Sequence, residues 1–126
     1  YNASPAAVRA AFATLALAEP KVGGRRIVVL GDMLELGDRS ATDHAGLGQA
    51  FIEAKLDHAH AAGPECKHFM AALPASARGH WAEDAASLAN SVDDLAAAGD
   101  IVLVKGSLGM GMAKVVKALE GIGNVA

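Results

Sequence analysis

The sequence predicts an α/β domain: a mostly parallel, Rossmann-like sheet with helices on both faces, three layers in all. Three observations carry this. Helix-like and strand-like segments alternate from one end of the chain to the other. Residues 27–30 (Ile-Val-Val-Leu) and 101–104 (Ile-Val-Leu-Val) are unbroken apolar runs without the in-out alternation of a half-exposed strand, as in strands covered on both faces. Each run ends in a glycine-bearing turn, Gly31-Asp32 in the first case and Lys105-Gly106-Ser107 in the second.

The elements follow in order. Ser4-Pro5 predicts a helix start, because the hydroxyl can accept from a free backbone N–H and proline at the first helical position lacks a donor that had no partner there. Val8, Ala11, Phe12 and Leu15 recur at helical spacing, and Pro20 with Gly23-Gly24 ends the helix. After the strand over 27–30 and a loop over 33–38, a second helix begins near Ser40. Asp43 completes a weak capping box there, and Leu47, Ala50, Phe51 and Ala54 form one face. A strand is expected over 56–62, closed by Gly63-Pro64, then a short helix over 66–73. A weak strand over 79–82 and a helix over 84–98 lead to the strand over 101–104. A helix over 109–119 completes the pattern. No repeat, low-complexity tract or linker interrupts it.

The chain has 126 residues, the size of one domain of about 100–150 residues, so residues 1–126 are expected to form a single domain and not a complete multi-domain enzyme. The apolar fraction of 52% includes 29 alanines, so much of it is small helix-forming surface. Aromatics are limited to Tyr1, Phe12, Phe51, Phe69 and Trp81. With 11 Lys and Arg against 14 Asp and Glu, the net charge of −3 offers no polybasic field for nucleic acid or anionic lipid. No apolar run approaches the ~20 residues that span a bilayer. The single cysteine, Cys66, excludes an internal disulfide and agrees with a reducing, cytoplasmic setting. Tyr1 in place of an initiating Met suggests a domain cut from a longer protein.

Ligands of open α/β sheets sit at the carboxyl ends of strands where strand order reverses. If the strands over 27–30 and 101–104 are neighbours, their glycine-bearing loops face one another there. In residues 105–111 (Lys-Gly-Ser-Leu-Gly-Met-Gly) the glycines let backbone N–H groups approach an anion, the next helix adds its positive end, and Lys105 and Ser107 add a charge and a hydroxyl. A flexible strand-to-helix turn accounts for the same residues. No G-x-x-x-x-G-K-[ST] loop and no G-x-G-x-x-G after the first strand is present. Residues 31–37 (Gly-Asp-Met-Leu-Glu-Leu-Gly) place Asp32 and Glu35 between glycines and leave Met33, Leu34 and Leu36 exposed unless something covers them. Either a closing partner or the sheet edge could do so. His44 could reach this loop or face solvent. Asp57, His58, His60, Cys66 and His68 match no established zinc spacing and are expected to be structural or surface groups, so no metal site is assigned. Cys66 has no His and Asn partners marking a catalytic thiol. On these grounds a free-standing Rossmann-like or flavodoxin-like module, such as a receiver or an interaction domain, is an alternative to an enzyme fragment.

Three elements, collinear and covering essentially the whole chain, favour the enzyme fragment. Tyr1-Asn2-Ala3-Ser4-Pro5 resembles a Y-N-A-N-P element. Gly31-Asp32-Met33-Leu34-Glu35-Leu36-Gly37 with His44 resembles G-D-M-x-E-L-G…H, and Asp100-Ile101-Val102-Leu103-Val104-Lys105-Gly106-Ser107 resembles D-x-V-L-V-K-G-S. These belong to the Mur ligase family, in the branch of the UDP-N-acetylmuramoyl-tripeptide–D-alanyl-D-alanine ligases (MurF), and the likeness is to the C-terminal domain. The sequence departs from the pattern at Ser4, where Asn is common, and at Leu108, where Arg is frequent.

The resemblance implies an ATP-dependent ligase that joins D-Ala-D-Ala to UDP-MurNAc-tripeptide through an acyl phosphate, in peptidoglycan synthesis. It implies N-terminal and central domains as this domain's partners, with ATP and Mg2+ held mainly by the central one. The isolated domain is then expected to bind no cofactor, to lack catalytic residues of its own and to be inactive. For the dipeptide, Lys105, Gly106 and Ser107 would meet the carboxylate and Asp32 or Glu35 the ammonium, with His44 nearby. Tyr1 and Asn2 would lie near the nucleotide.

Overall fold

The computed structural model describes residues 3–123. Its elements are α1 (Pro5–Ala16), β1 (Arg26–Gly31), α2 (Ser40–Glu53), β2 (His58–Ala62), α3 (Cys66–Ala71), β3 (Arg78–Ala82), α4 (Ala85–Ala89), α5 (Val92–Leu95), β4 (Ile101–Lys105) and α6 (Ala113–Gly123), with 3-10 turns at Gly37–Arg39 and Leu108–Met110. The four strands are parallel in the order β3-β2-β1-β4. The chain moves outward from β1 through β2 to β3, then returns to lay β4 on the other side of β1. Strand order therefore reverses between β1 and β4, where ligands of such sheets bind.

Alternate residues of the strands face two apolar layers. Val28, Leu30, Ala59 and Ala61 pack under α1, α2 and α3, which contribute Phe12, Phe51 and Phe69. These three rings meet with centroids 6.2–6.4 Å apart, two of the pairs edge to face. Ile27, Val29 and Ala62 face Leu88, Leu95, Met112 and Val115 on the other side. The three-layer α/β architecture is as expected, and no described helix is long and apolar enough to cross a membrane.

Ser4 caps α1 as its sequence suggests, its hydroxyl accepting from Ala7 N–H at 3.2 Å. Ser40 does not cap α2. It is the first helical residue, Arg39 at the cap position makes no side-chain capping bond, and the Ser40 hydroxyl turns instead to Glu65. The second strand starts at His58 and not at 56, because α2 closes through Lys55 in the left-handed region (φ +58°) with Leu56 N–H reaching back to Phe51 C=O. The helix expected over 84–98 breaks into α4 and α5: Asn90 and Ser91 N–H close tight turns on Ser87 and Leu88 C=O, and Ala96 is extended. The helix expected over 109–119 is displaced to α6, since a 3-10 turn and Gly111 at φ +65° intervene. Its first turn therefore does not follow directly on the 105–107 segment in the chain.

Candidate functional site

The loops after β1 and β4 are neighbours, with Leu30 paired to Lys105 in the ladder. A Cβ on Gly31 would lie 2.7 Å from Met112 Sδ, and one on Gly106 2.9 Å from Met112 Cγ and 3.0 Å from Gly31 Cα. Both glycines are thus needed for the two strand ends and Met112 to close beneath the crevice. Sequence patterning gave no sign of Met112 in this role.

Asp32 is only 2% exposed. Its two oxygens accept from the N–H groups of Cys66 (2.8 Å) and Glu65 (3.1 Å) at the start of α3, a helix whose cap residue Glu65 makes no side-chain cap of its own. A carboxylate 34 residues away in sequence from Cys66 satisfies these donors and faces the positive end of the helix. Gly63, at φ +110°, makes this possible, because a Cβ there would run into the Asp32 carboxylate. The sequence marks Gly63-Pro64 only as a strand end.

Met33 is buried in the layer under α1, so of the two ways of covering this loop, packing within the domain applies to Met33. Leu36 packs half-buried against the same layer, and Leu34 is half-buried above Gly109. His44 reaches the loop: its Nε2 accepts from Met33 N–H at 3.0 Å while Nδ1 lies 2.8 Å from Ser40 C=O, which assigns the ring proton to Nδ1. Ser107 is buried. Its N–H donates to Asp32 C=O at 3.1 Å, and its Oγ accepts from Leu34 N–H at 2.8 Å. Glu35 follows in the left-handed region (φ +65°) and is exposed, Lys105 and Gly106 are half-buried, and Leu108 is 77% exposed. Tyr1 and Asn2 lie outside the described residues. Asp32, His44 and Ser107 thus converge on the 32–34 backbone where the loops after β1 and β4 meet, and of the described residues singled out from the sequence for this site only Glu35, Lys105 and Gly106 have surface to offer.

Asp32, His44 and Cys66 bring one donor atom each to within 4.8 Å of one another. They do not fit Mg2+, which takes oxygen ligands. Both Asp32 oxygens and His44 Nε2 already accept from backbone N–H groups, and the Cys66 thiol donates to Leu30 C=O. Burial first, and then the Asp32 charge, push the Cys66 thiol well above its ordinary range, which suits an inert thiol. Elsewhere, Asp57 accepts from Arg26 N–H at 2.7 Å and His68 is exposed. His60 is buried, with Nε2 on Leu95 C=O and Nδ1 accepting from His80 N–H, beside the rings of His58 and His80. These are structural and surface roles.

Residues 1–108 match the family described as "Mur ligase, glutamate ligase domain". The chain is 35% identical to the UDP-N-acetylmuramoyl-tripeptide–D-alanyl-D-alanine ligase of Bacillus subtilis over 94% of its length, and 34% identical to that of Escherichia coli over 95%. It spans about a quarter of each of those relatives (26% and 25%). Among solved structures it resembles the MurF ligase of Thermotoga maritima in complex with ADP (TM-score 0.75, 27% identity) and MurF of Acinetobacter baumannii (TM-score 0.77, 28% identity). The likeness covers 96% of this chain and 26% and 27% of theirs.

Proposed function

The chain belongs to the Mur ligase family, and from that membership we propose that it serves as the C-terminal domain of a cytoplasmic, ATP-dependent ligase that joins D-Ala-D-Ala to UDP-MurNAc-tripeptide in peptidoglycan synthesis. The observation that carries this reading is the junction of the motif loops at the β1/β4 reversal, where Ser107 bonds both Asp32 C=O and Leu34 N–H.

In the proposed reaction the tripeptide carboxylate attacks the γ-phosphate of ATP, giving an acyl phosphate and ADP. The dipeptide amine then attacks the acyl carbon, and phosphate leaves. An acyl phosphate is lost to water unless the amine is delivered close and in line, an arrangement worth up to about 7–11 kcal/mol. This domain's part is that delivery. Lys105 and the Gly106 backbone supply donors to the dipeptide carboxylate, and charge-assisted bonds of this kind contribute roughly 1.5–3 kcal/mol each. Glu35 takes the ammonium, and Asp32 serves from behind by holding α3 against the loop.

The N-terminal and central domains supply the UDP-sugar and nucleotide sites, including any Mg2+, for which this crevice has no fitting ligand set. Tyr1 and Asn2 are assigned to the nucleotide side. Just beyond the C-terminal end of α1, Ala18 C=O accepts from Arg26 Nε (2.8 Å) at the start of β1, so the helix runs from the strands' carboxyl ends towards their starts. The N-terminal end of α1 therefore lies at the crevice end of the sheet, where a preceding domain would enter. The test is phosphate release by the full-length protein with ATP, Mg2+ and UDP-MurNAc-tripeptide. Release is expected to depend on D-Ala-D-Ala and to be absent for residues 1–126 alone. Magnesium-dependent ATP hydrolysis by this domain alone would sink the reading.

A further inference from the structure

His44 and Ser107 are buried in the crevice and have no surface with which to meet a dipeptide, yet each holds a backbone N–H of the same short loop. We propose that they are positioning residues for the substrate amine: they fix the Met33–Leu34 backbone so that Glu35 is held in its left-handed conformation at the crevice mouth. This rests on the ligase reading above.

The physical chain runs through the loop. A non-glycine residue at φ +65° is unfavourable by itself and persists where its surroundings over-determine it. On one side of Glu35, two successive N–H groups are taken by acceptors from different elements. Met33 donates to an imidazole on α2, and Leu34 to a hydroxyl after β4. On the other side, Gly37 at φ +58° and the Arg39 N–H bond to Leu36 C=O (3.2 Å) close the turn. His44 is itself oriented, because Nδ1–H donates to Ser40 C=O within its own helix, leaving Nε2 as the acceptor. Ser107 brackets Met33, bonding Asp32 C=O before it and Leu34 N–H after it. The two clamps fix the residues that lead into Glu35, and loss of either loosens the backbone that holds its left-handed conformation.

The test uses the full-length ligase and compares KM for D-Ala-D-Ala with KM for ATP. His44→Leu and Ser107→Ala are each expected to raise the dipeptide KM about tenfold and leave the ATP KM unchanged, while neither adds to the effect of Glu35→Ala. His44→Gln, whose amide oxygen can take the Met33 N–H, is expected to restore most of the loss. Equal increments with and without the Glu35 side chain, or a parallel rise in the ATP KM, would overturn the proposal. Amide hydrogen exchange supplies a readout independent of turnover. His44→Leu should speed exchange at Met33, and Ser107→Ala at Leu34, with core amides such as Val28 unchanged. Uniform acceleration would mean a general loss of stability and defeat the local clamp. Absence of dipeptide-dependent phosphate release from the parent protein would overturn the ligase reading itself, while the exchange data would still decide the clamp.

Discussion

Replacing Asp32 by Asn separates a structural carboxylate from a ligand-binding one. In the parent the two oxygens accept from Cys66 N–H at 2.8 Å and Glu65 N–H at 3.1 Å, in a site 2% exposed and closed over by Gly63. Asn fills the same volume but offers one oxygen and one NH2 group. One backbone N–H is then left facing a donor without water to replace the lost acceptor, and the other bond is no longer charge-assisted. Bonds to charged groups contribute about 1.5–3 kcal/mol, so the expected loss is about 2–4 kcal/mol. For a chain of this size that lowers Tm by roughly 10 °C. Thermal unfolding followed by circular dichroism at neutral pH measures the loss, and the urea midpoint checks it with the slope m unchanged. Asp32→Asn with a Tm within about 2 °C of the parent, combined with lost dipeptide affinity, would refute the argument and return Asp32 to the groups that touch substrate.

Burial lowers the His60 pKa from 6.5 to about 4 against the raising effect of its bond to Leu95 C=O, and His58 shifts in the same direction, again led by burial. A histidine with a lowered folded pKa binds fewer protons folded than unfolded. Stability should therefore fall as pH drops from about 6.5 towards 4, by roughly 3 kcal/mol for His60; urea midpoints flat across this window would contradict it. Lys55→Gly should raise stability by about 0.5–1 kcal/mol, because glycine accepts the left-handed position that closes α2, and an unchanged or lower Tm would count against the motif. Glu35→Gly should likewise stabilise the fold while weakening dipeptide binding, so a variant that binds as well as the parent would remove Glu35 from the site.

Much of the architecture is legible in local chemistry. The runs at 27–30 and 101–104 mark the two neighbouring parallel strands because a strand covered on both faces has no polar positions to show. Ser4-Pro5 marks its helix start because capping involves only residues three apart. Legibility fails where a local signal has a distant competitor. Ser40 has the chemistry of a cap, but Glu65 lies within reach of its hydroxyl and the helix begins one residue earlier than a capping role requires. Met33 belongs to a loop by pattern, but the layer under α1 has room for its side chain. The break between α4 and α5 follows from turns at Asn90 and Ser91 that weak helix propensity allows but does not demand.

Sequence alone determined the fold class, the two strand ends that form the crevice and the family, because each rests on residue types at short spacings within a few collinear segments. Tertiary structure alone decided what the crevice residues do. Asp32, Ser107 and Glu65 find their partners 25 to 75 residues away. Whether a carboxylate or hydroxyl faces a substrate or a backbone N–H is set by which segments the sheet order brings together. The same motif that identifies the family therefore divides, once folded, into Glu35, Lys105 and Gly106 at the surface and Asp32, His44 and Ser107 beneath them.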